Sequence, residues 1–543
     1  MNKQLLATLL GLALGGSAYA ADIVPVNADP AGQGLNDPTP AAPVGGNPGT
    51  TIGEQRRIAY QFAADLWGSV LQSDAQIRVE ASFQPLQCET GRVVLGSAGT
   101  VPIYILSGGG LPQPTLFHGA LADALFGVDL DAGTANAGRV DIRSRFNSSF
   151  GRTNPDGTPC SPGSGWYYGL DGNTPAGQTN FFNVVMHEIA HGLGFSGFGN
   201  VSTGAPLAGF QDIYSTFVFD NNSQKGWYEL DNAGRVAAVV GNNLAFRGAN
   251  VAAQVPLVLD ERHAVRASGT VSGDFAYATA SFGPPATAAN FTGSLVLVND
   301  GTASPTLGCS PSPAGAYTGR IALVDRGTCE FEVKVKNAEN AGAIAVLVAS
   351  NGALTTMGEG SDPSIVATVP ALMVSLADGA AIKAGMPGVN VTFATVPGLS
   401  GADANGYALL YAPNPVVPGS SFSHYDTSAS PNALMEPAIT NTLVANLNVD
   451  LTPALFADEG WSLNPGNAEI AGCDTGVDAV SDGGLIIGAS VQAWDNLCLA
   501  SSANKAGYQA CITGYKDRLA SAGLLSGNQG GRIATCAAKR FKK

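Results

Sequence analysis

Residues 180–195 read NFFNVVMHEIAHGLGF, from Asn180 to Phe195, and their reading decides the fold around them. His187 and His191 stand four positions apart, which puts both imidazoles on one face of a helix about a turn from each other. Glu188 follows the first of them directly. Two such imidazoles can meet one divalent cation, and the neighbouring carboxylate can act as general base on a water there, the H-E-x-x-H pattern of zinc hydrolases. Phe181, Phe182, Val184, Val185, Met186, Ile189 and Leu193 make the helix apolar on most sides. Read as plain core residues, the two histidines and the glutamate would be costly there, and a metal ion removes that cost.

Further out, the N-terminus predicts a secretory signal over residues 1–20. Lys3 supplies the positive region, Leu5 to Leu14 the apolar region, and Ala18-Tyr19-Ala20 an A-x-A cleavage site. No later stretch reaches the length of uninterrupted apolar sequence that a membrane span needs, so stable membrane insertion is not expected and a secreted protein is. Only 13% of residues are charged and the net charge is −15, without a basic stripe, which argues against a nucleic-acid partner. The eight cysteines form an even set in an exported chain, which predicts disulfides. Their clustering suggests Cys88 with Cys160, Cys309 with Cys329, and two bridges among Cys473, Cys498, Cys511 and Cys536. No C-x-x-C pair is present to suggest a metal role.

Residues 21–50, rich in Pro, Gly, Ala and Asn, read as an extended or disordered lead-in. Thr51 to Glu54 has capping-box spacing and opens a helix with Ile58, Phe62, Leu66 and Val70 on one stripe. Ile77, Val79, Ala81 and Phe83 alternate with polar residues, as in a half-buried strand. Val140 to Asn147 alternates too, and its charged positions suit either an edge strand to which a substrate backbone can add or an ordinary solvated strand face. Ile321–Val324, the helical stretch 331–341 and the apolar run 343–349 form a β-α-β unit that favours a parallel sheet. The tail beyond Asn464 reads as short helices, among them 486–497 and 503–520, held by four cysteines as a separate module.

A catalytic zinc needs a third protein ligand and an open position. His191-Gly192-Leu193-Gly194 begins the longer H-E-x-x-H-x-x-G signature, whose glycine lets the chain turn away from the helix. Where the contiguous signature has another His, this chain has Gly197. Glu229 lies in strand-like sequence, Asp212 in a packed segment, and His118 and His263 read as surface histidines. His424 stands apart, in Ser423-His424-Tyr425, with Leu434-Met435-Glu436-Pro437 shortly after it.

Here the chain resembles leishmanolysin, a metzincin in which a large insertion separates the H-E-x-x-H helix from a short S-H-W/Y segment and a following L-M-x-P. The resemblance implies His187, His191 and His424 as ligands of one catalytic Zn²⁺, Glu188 as catalytic base, and Met435 as the Met-turn residue. From His191 to His424 is 233 positions, which only a folded insertion fills compactly. Gly319-Arg320-Ile321-Ala322-Leu323-Val324-Asp325-Arg326-Gly327, with Cys329 and Phe331 beyond, resembles a protease-associated domain, a module that usually serves as a lid or substrate-presenting unit. Trp166 to Gly172, and Leu451 to Trp461 as a last helix, fit the same frame.

The expected fold is thus α+β. A metzincin-like unit with a twisted mixed sheet and active-site helix occupies 51–269 and 401–464, an α/β protease-associated domain is inserted at 270–400, and a disulfide-stapled helical module fills 465–543. The implied function is a secreted zinc endopeptidase hydrolysing extracellular polypeptide with Glu188 assisting a water. The rival is a catalytically inactive metzincin-fold binding protein acting through its protease-associated and C-terminal modules, or an enzyme whose metal attacks another bond. With no cysteine before Cys88, a thiol switch from a propeptide is not expected. A bound calcium is plausible in a secreted acidic protein, but no Asp cluster has EF-hand spacing to support it. Neither cleavage preference nor oligomeric state is legible.

Overall fold

The computed structural model describes residues 20–89, 92–108, 111, 113–352 and 354–540. The signal-peptide reading, on residues 1–20, lies almost wholly outside them. The chain divides into two compact units, one made of the segments up to Asp260 and from Gly401 onward, the other of Glu261–Ser400.

In the first unit a four-stranded sheet carries the helices. Strand β1 (Ile23–Asn27) is followed by helix α1 (Ile52–Val70), then β2 (Ile77–Gln84), β3 (Gly96–Thr100), β4 (Ile142–Asn147) and helix α2 (Phe181–Leu193). The strand order is β1-β2-β4-β3, with β1, β2 and β4 parallel and β3 antiparallel to β4. Strand β2 buries every second residue, Ile77, Val79, Ala81 and Phe83, as its alternation predicts. Helix α1 starts at the expected capping box, with Thr51 Oγ1 accepting from Glu54 N and the Glu54 carboxylate accepting from Thr51 N. Phe181, at the start of α2, packs against Phe83, Phe146, Trp166 and Tyr168, ring centroids 4.9–5.6 Å away.

Of the two readings of residues 21–50, the extended one holds and the disordered one does not: β1 pairs along β2, and Asp29 accepts backbone bonds from Leu35 and Phe83. Nor is the 140–147 run an edge. Strand β4 lies between β2 and β3, and its exposed Arg143 pairs with Glu80 on β2, so its charges line a solvated face. The outer strands are β1 and β3, and the GSAGT sequence of β3 has little strand propensity of its own.

The tail is not detached either. It adds a hairpin (Asn467–Ile470 with Cys473–Asp478) to three helices, Ile487–Ser501, Lys505–Ser521 and Gly527–Lys539. Its first helix packs on α1, with Trp494 edge-on to Phe62 at 5.5 Å. Disulfides join Cys88 to Cys160, Cys309 to Cys329, Cys473 to Cys536 and Cys498 to Cys511.

The second unit is one eight-stranded sheet. Strands Thr292–Leu297, Ile321–Asp325, Ala345–Ala349 and Ala371–Val374 run parallel, with helix Phe331–Asn340 crossing between the second and third. The unit begins at Glu261 rather than 270 because strand Glu261–Gly269 pairs antiparallel with Val389–Leu399 of the same sheet. Among the described residues no helix is long and apolar enough to cross a membrane.

Candidate metal centre

Helix α2 is set by its ends. Asn180 caps it, its Oδ1 accepting from Phe182 N at 3.0 Å, and Trp461 Nε1 donates to the last-turn carbonyl of Leu193 at 3.0 Å. The whole helix is buried, so His187, Glu188 and His191 are held at 6%, 5% and 8% exposure. Gly194 ends it at φ 171°, outside the left-handed range. What excludes a side chain there is the Glu459 carboxylate, which lies where a Cβ would stand. The glycine is thus required by close approach, not by a left-handed turn.

The third imidazole arrives from far along the chain. Gly197, at the position where the contiguous signature has His, is packed so that a Cβ would come 2.5 Å from the Phe422 ring, and its N–H donates to Ser423 Oγ. The residue that replaces the missing ligand therefore seats the segment carrying His424. That segment is pinned by Phe422 N to Tyr411 O, Tyr411 N to His424 O, and Tyr425 N to Met435 O. Met435 is fully buried beside it.

The Nε2 atoms of His187, His191 and His424 lie 3.1–3.2 Å from one another. Each Nδ1 contacts a backbone carbonyl: Leu434 O at 2.7 Å, Phe195 O at 2.8 Å and Ser420 O at 2.7 Å respectively. A carbonyl only accepts, so each Nδ1 carries the proton and each Nε2 presents a lone pair. Burial, with the neighbouring imidazoles, pushes His187 down to about 3 and His424 well below its ordinary range, and burial alone pushes His191 to about 4. Three neutral acceptors thus converge with no hydrogen among them, an arrangement that a cation relieves. Tetrahedral zinc with Zn–N of about 2.0–2.1 Å separates ligand nitrogens by roughly 3.3 Å, close to these spacings. Among the described residues this is the one cluster of three or more His, Cys, Asp or Glu whose ligand atoms come close enough to hold a metal.

Glu188 stands beside the triad under β3. A Cβ on Gly96 would fall 2.5 Å from its Oε1, so the glycine makes room for the carboxylate. Among the described residues its Oε2 has no hydrogen-bond partner. Burial pushes its carboxyl up to about 8 against the backbone bond from Ala98.

The other candidates have separate work. Asp212 is buried and accepts from Ser215 N, Ser215 Oγ, Tyr228 Oη and Phe198 N. Glu229 is exposed in a 3₁₀ turn, Trp227–Glu229, rather than a strand, and accepts from Gly226 N. His263 is half-buried and stacks on Phe393. His118 is not a surface residue: it is fully buried before helix Gly119–Phe126, with Nε2 2.9 Å from Ser196 Oγ. A lone histidine in TLFHGA gave no periodic signal of that burial. Sequence reading also passed over Asp450, whose Oδ2 accepts from Leu434 N at 2.5 Å, next to the carbonyl that holds His187.

Residues 291–382 match the family model described as "PA domain". A curated relative, Signal peptide peptidase-like 3 of Arabidopsis thaliana, is 34% identical over 157 residues, 28% of this chain. The matched stretch spans 25% of that relative's length. Among solved structures, a zinc aminopeptidase from Bacillus subtilis is 22% identical over 26% of this chain and 36% of its own, at a TM-score of 0.19. An aminopeptidase from Aneurinibacillus gives the same identity and coverage at a TM-score of 0.18. A subtilisin-like protease from Pseudoalteromonas is 24% identical over 25% of this chain and 29% of its own, at 0.14. The chain therefore holds a protease-associated domain within a mixed α/β protein stapled by four disulfides.

Proposed function

We propose that this protein is a secreted zinc-dependent endopeptidase whose first unit is metzincin-like, of the leishmanolysin kind, and which acts on extracellular polypeptide. The observation that carries this reading is the convergence of three buried, neutral Nε2 atoms beside a glutamate with one unpartnered carboxylate oxygen. The protease-associated domain and the disulfides, which fit an oxidising compartment, agree with it.

His187, His191 and His424 would hold one zinc ion. Bound there, zinc supplies Lewis acidity toward a water and toward the scissile carbonyl. The three carbonyls at Leu434, Phe195 and Ser420 fix the tautomer and aim of the imidazoles. A peptide laid along the free edge of β3 would bring its backbone beside Glu188, which sits under Gly96. Glu188 then takes a proton from the attacking water and returns one to the leaving amine.

Casein digestion by purified protein, with and without a chelator, tests this reading. Internal cleavage blocked by chelation and lost by about a hundredfold or more in Glu188→Gln is the expected result. Release of N-terminal residues alone would contradict the endopeptidase reading, and full activity in Glu188→Gln would defeat the mechanism.

A further inference from the structure

We propose that Arg145 forms a subsite that selects an acidic side chain, Asp or Glu, in a peptide lying along β3. This rests on the peptidase reading above and names part of its substrate class. Gly96, Ala98 and Thr100 stand opposite Phe146, Ser144 and Ile142, the buried positions of β4 on the helix side of the sheet. Ser97 and Gly99 stand opposite Arg145 and Arg143 on the other, solvated face. A peptide added to β3 alternates in the same way, so every second side chain falls on the arginine face.

The two arginines differ. Arg143 Nε is 2.5 Å from Glu80 Oε1, and its charge is matched there. Arg145 faces Ser82 on one neighbouring strand and Ser97 on the other, is exposed, and among the described residues has no carboxylate within ion-pair range. It is an uncompensated cation in a chain of net charge −15. The space beside it is open: a cavity of about 380 Å³ is lined by residues 97–101 with Arg143 and Arg145, and a Cβ on Gly99 would meet nothing within 4 Å. A peptide strand on β3 would lie roughly 9.6 Å from β4, two strand spacings. Small residues on β3 leave that gap clear, so the long arginine and a carboxylate side chain can meet across it. Glu80 repels an acid near Arg143, which confines the preference to the residue beside Ser97.

The test is an acid scan. Internally quenched peptides carrying Ala, Glu or Lys at each position around the cleaved bond are compared with wild-type protein, Arg145→Ala and Arg145→Glu, with zinc content and circular dichroism recorded for each variant. Wild type is expected to favour Glu over Ala by about three- to fivefold in kcat/KM at one position, the size of an exposed ion pair, and less at high salt. That ratio should fall to about one in Arg145→Ala, and Arg145→Glu should favour Lys at the same position. Hydrolysis with no acid preference, or a preference that survives in both folded variants, overturns the subsite alone. No hydrolysis of any peptide by zinc-loaded wild type overturns the peptidase reading and the subsite with it.

Discussion

A single carboxyl pair shows how burial sets behaviour at the scale of one residue. Asp123 is 1% exposed and Asp141 6%, and each accepts a backbone bond, from Leu130 N and Arg78 N. Burial first, then the charges of Asp141 and Asp129, pushes the Asp123 carboxyl up to about 7, and its proton is shared with Asp141. A folded-state value raised above the unfolded one near 3.9 stabilises fully below that lower value, and the contribution is lost as pH rises through about 7. Asp123→Asn keeps an acceptor for Leu130 and a permanent donor for Asp141. It is expected to lose less stability than wild type between pH 5 and pH 8, by on the order of 1 kcal/mol, in urea titrations at the two pH values. Parallel curves for the two proteins would show that the pair does not share a proton. At the same scale, the shared helix face of His187 and His191 was legible because a four-residue spacing fixes it. His118 was misread because one histidine carries no pattern.

Between elements, a short relay ties helix Thr452–Glu459 to the histidine triad. Asp450 precedes helix Thr452–Glu459 in a left-handed conformation, φ 46°, which Asp tolerates better than most residues. Its two oxygens accept from Leu434 N and Leu451 N, and Leu434 O accepts from His187 Nδ1. Asp450→Ala strands two buried N–H groups and is expected to cost about 2–4 kcal/mol in thermal or urea unfolding and to weaken zinc binding about tenfold. A variant with unchanged zinc affinity would show that the relay does not reach the histidine. Elements with regular patterns were legible, α1 from its capping box and stripe, β2 from its alternation. Strands β1 and β3 were not, because Pro-containing IVPVN and small-residue GSAGT have weak propensities that pairing with β2 and β4 overrides. The same absence of a pairing signal left β4 open to reading as an edge.

Across the whole molecule, the first unit is closed by contacts between its two separated segments. Asp260 N donates to Ser430 O at 2.6 Å where the chain leaves, and Gly401 packs against Ala429 where it returns. The two segments of the first unit thus meet on one loop, a few residues from His424. No local pattern in the sequence carries such a closure. His424 was singled out only because Ser423–Tyr425 and Leu434–Pro437 resemble a family with a long insertion, and the C-terminal helices looked detached because their partner, α1, lies some four hundred positions away. The proposed zinc site depends on that long-range convergence, and zinc stoichiometry measures it directly. Wild-type protein dialysed against trace zinc is expected to retain about one ion per chain by plasma mass spectrometry, as is His118→Ala, while His424→Ala retains almost none. Equal zinc in all three, or none in wild type, would contradict it.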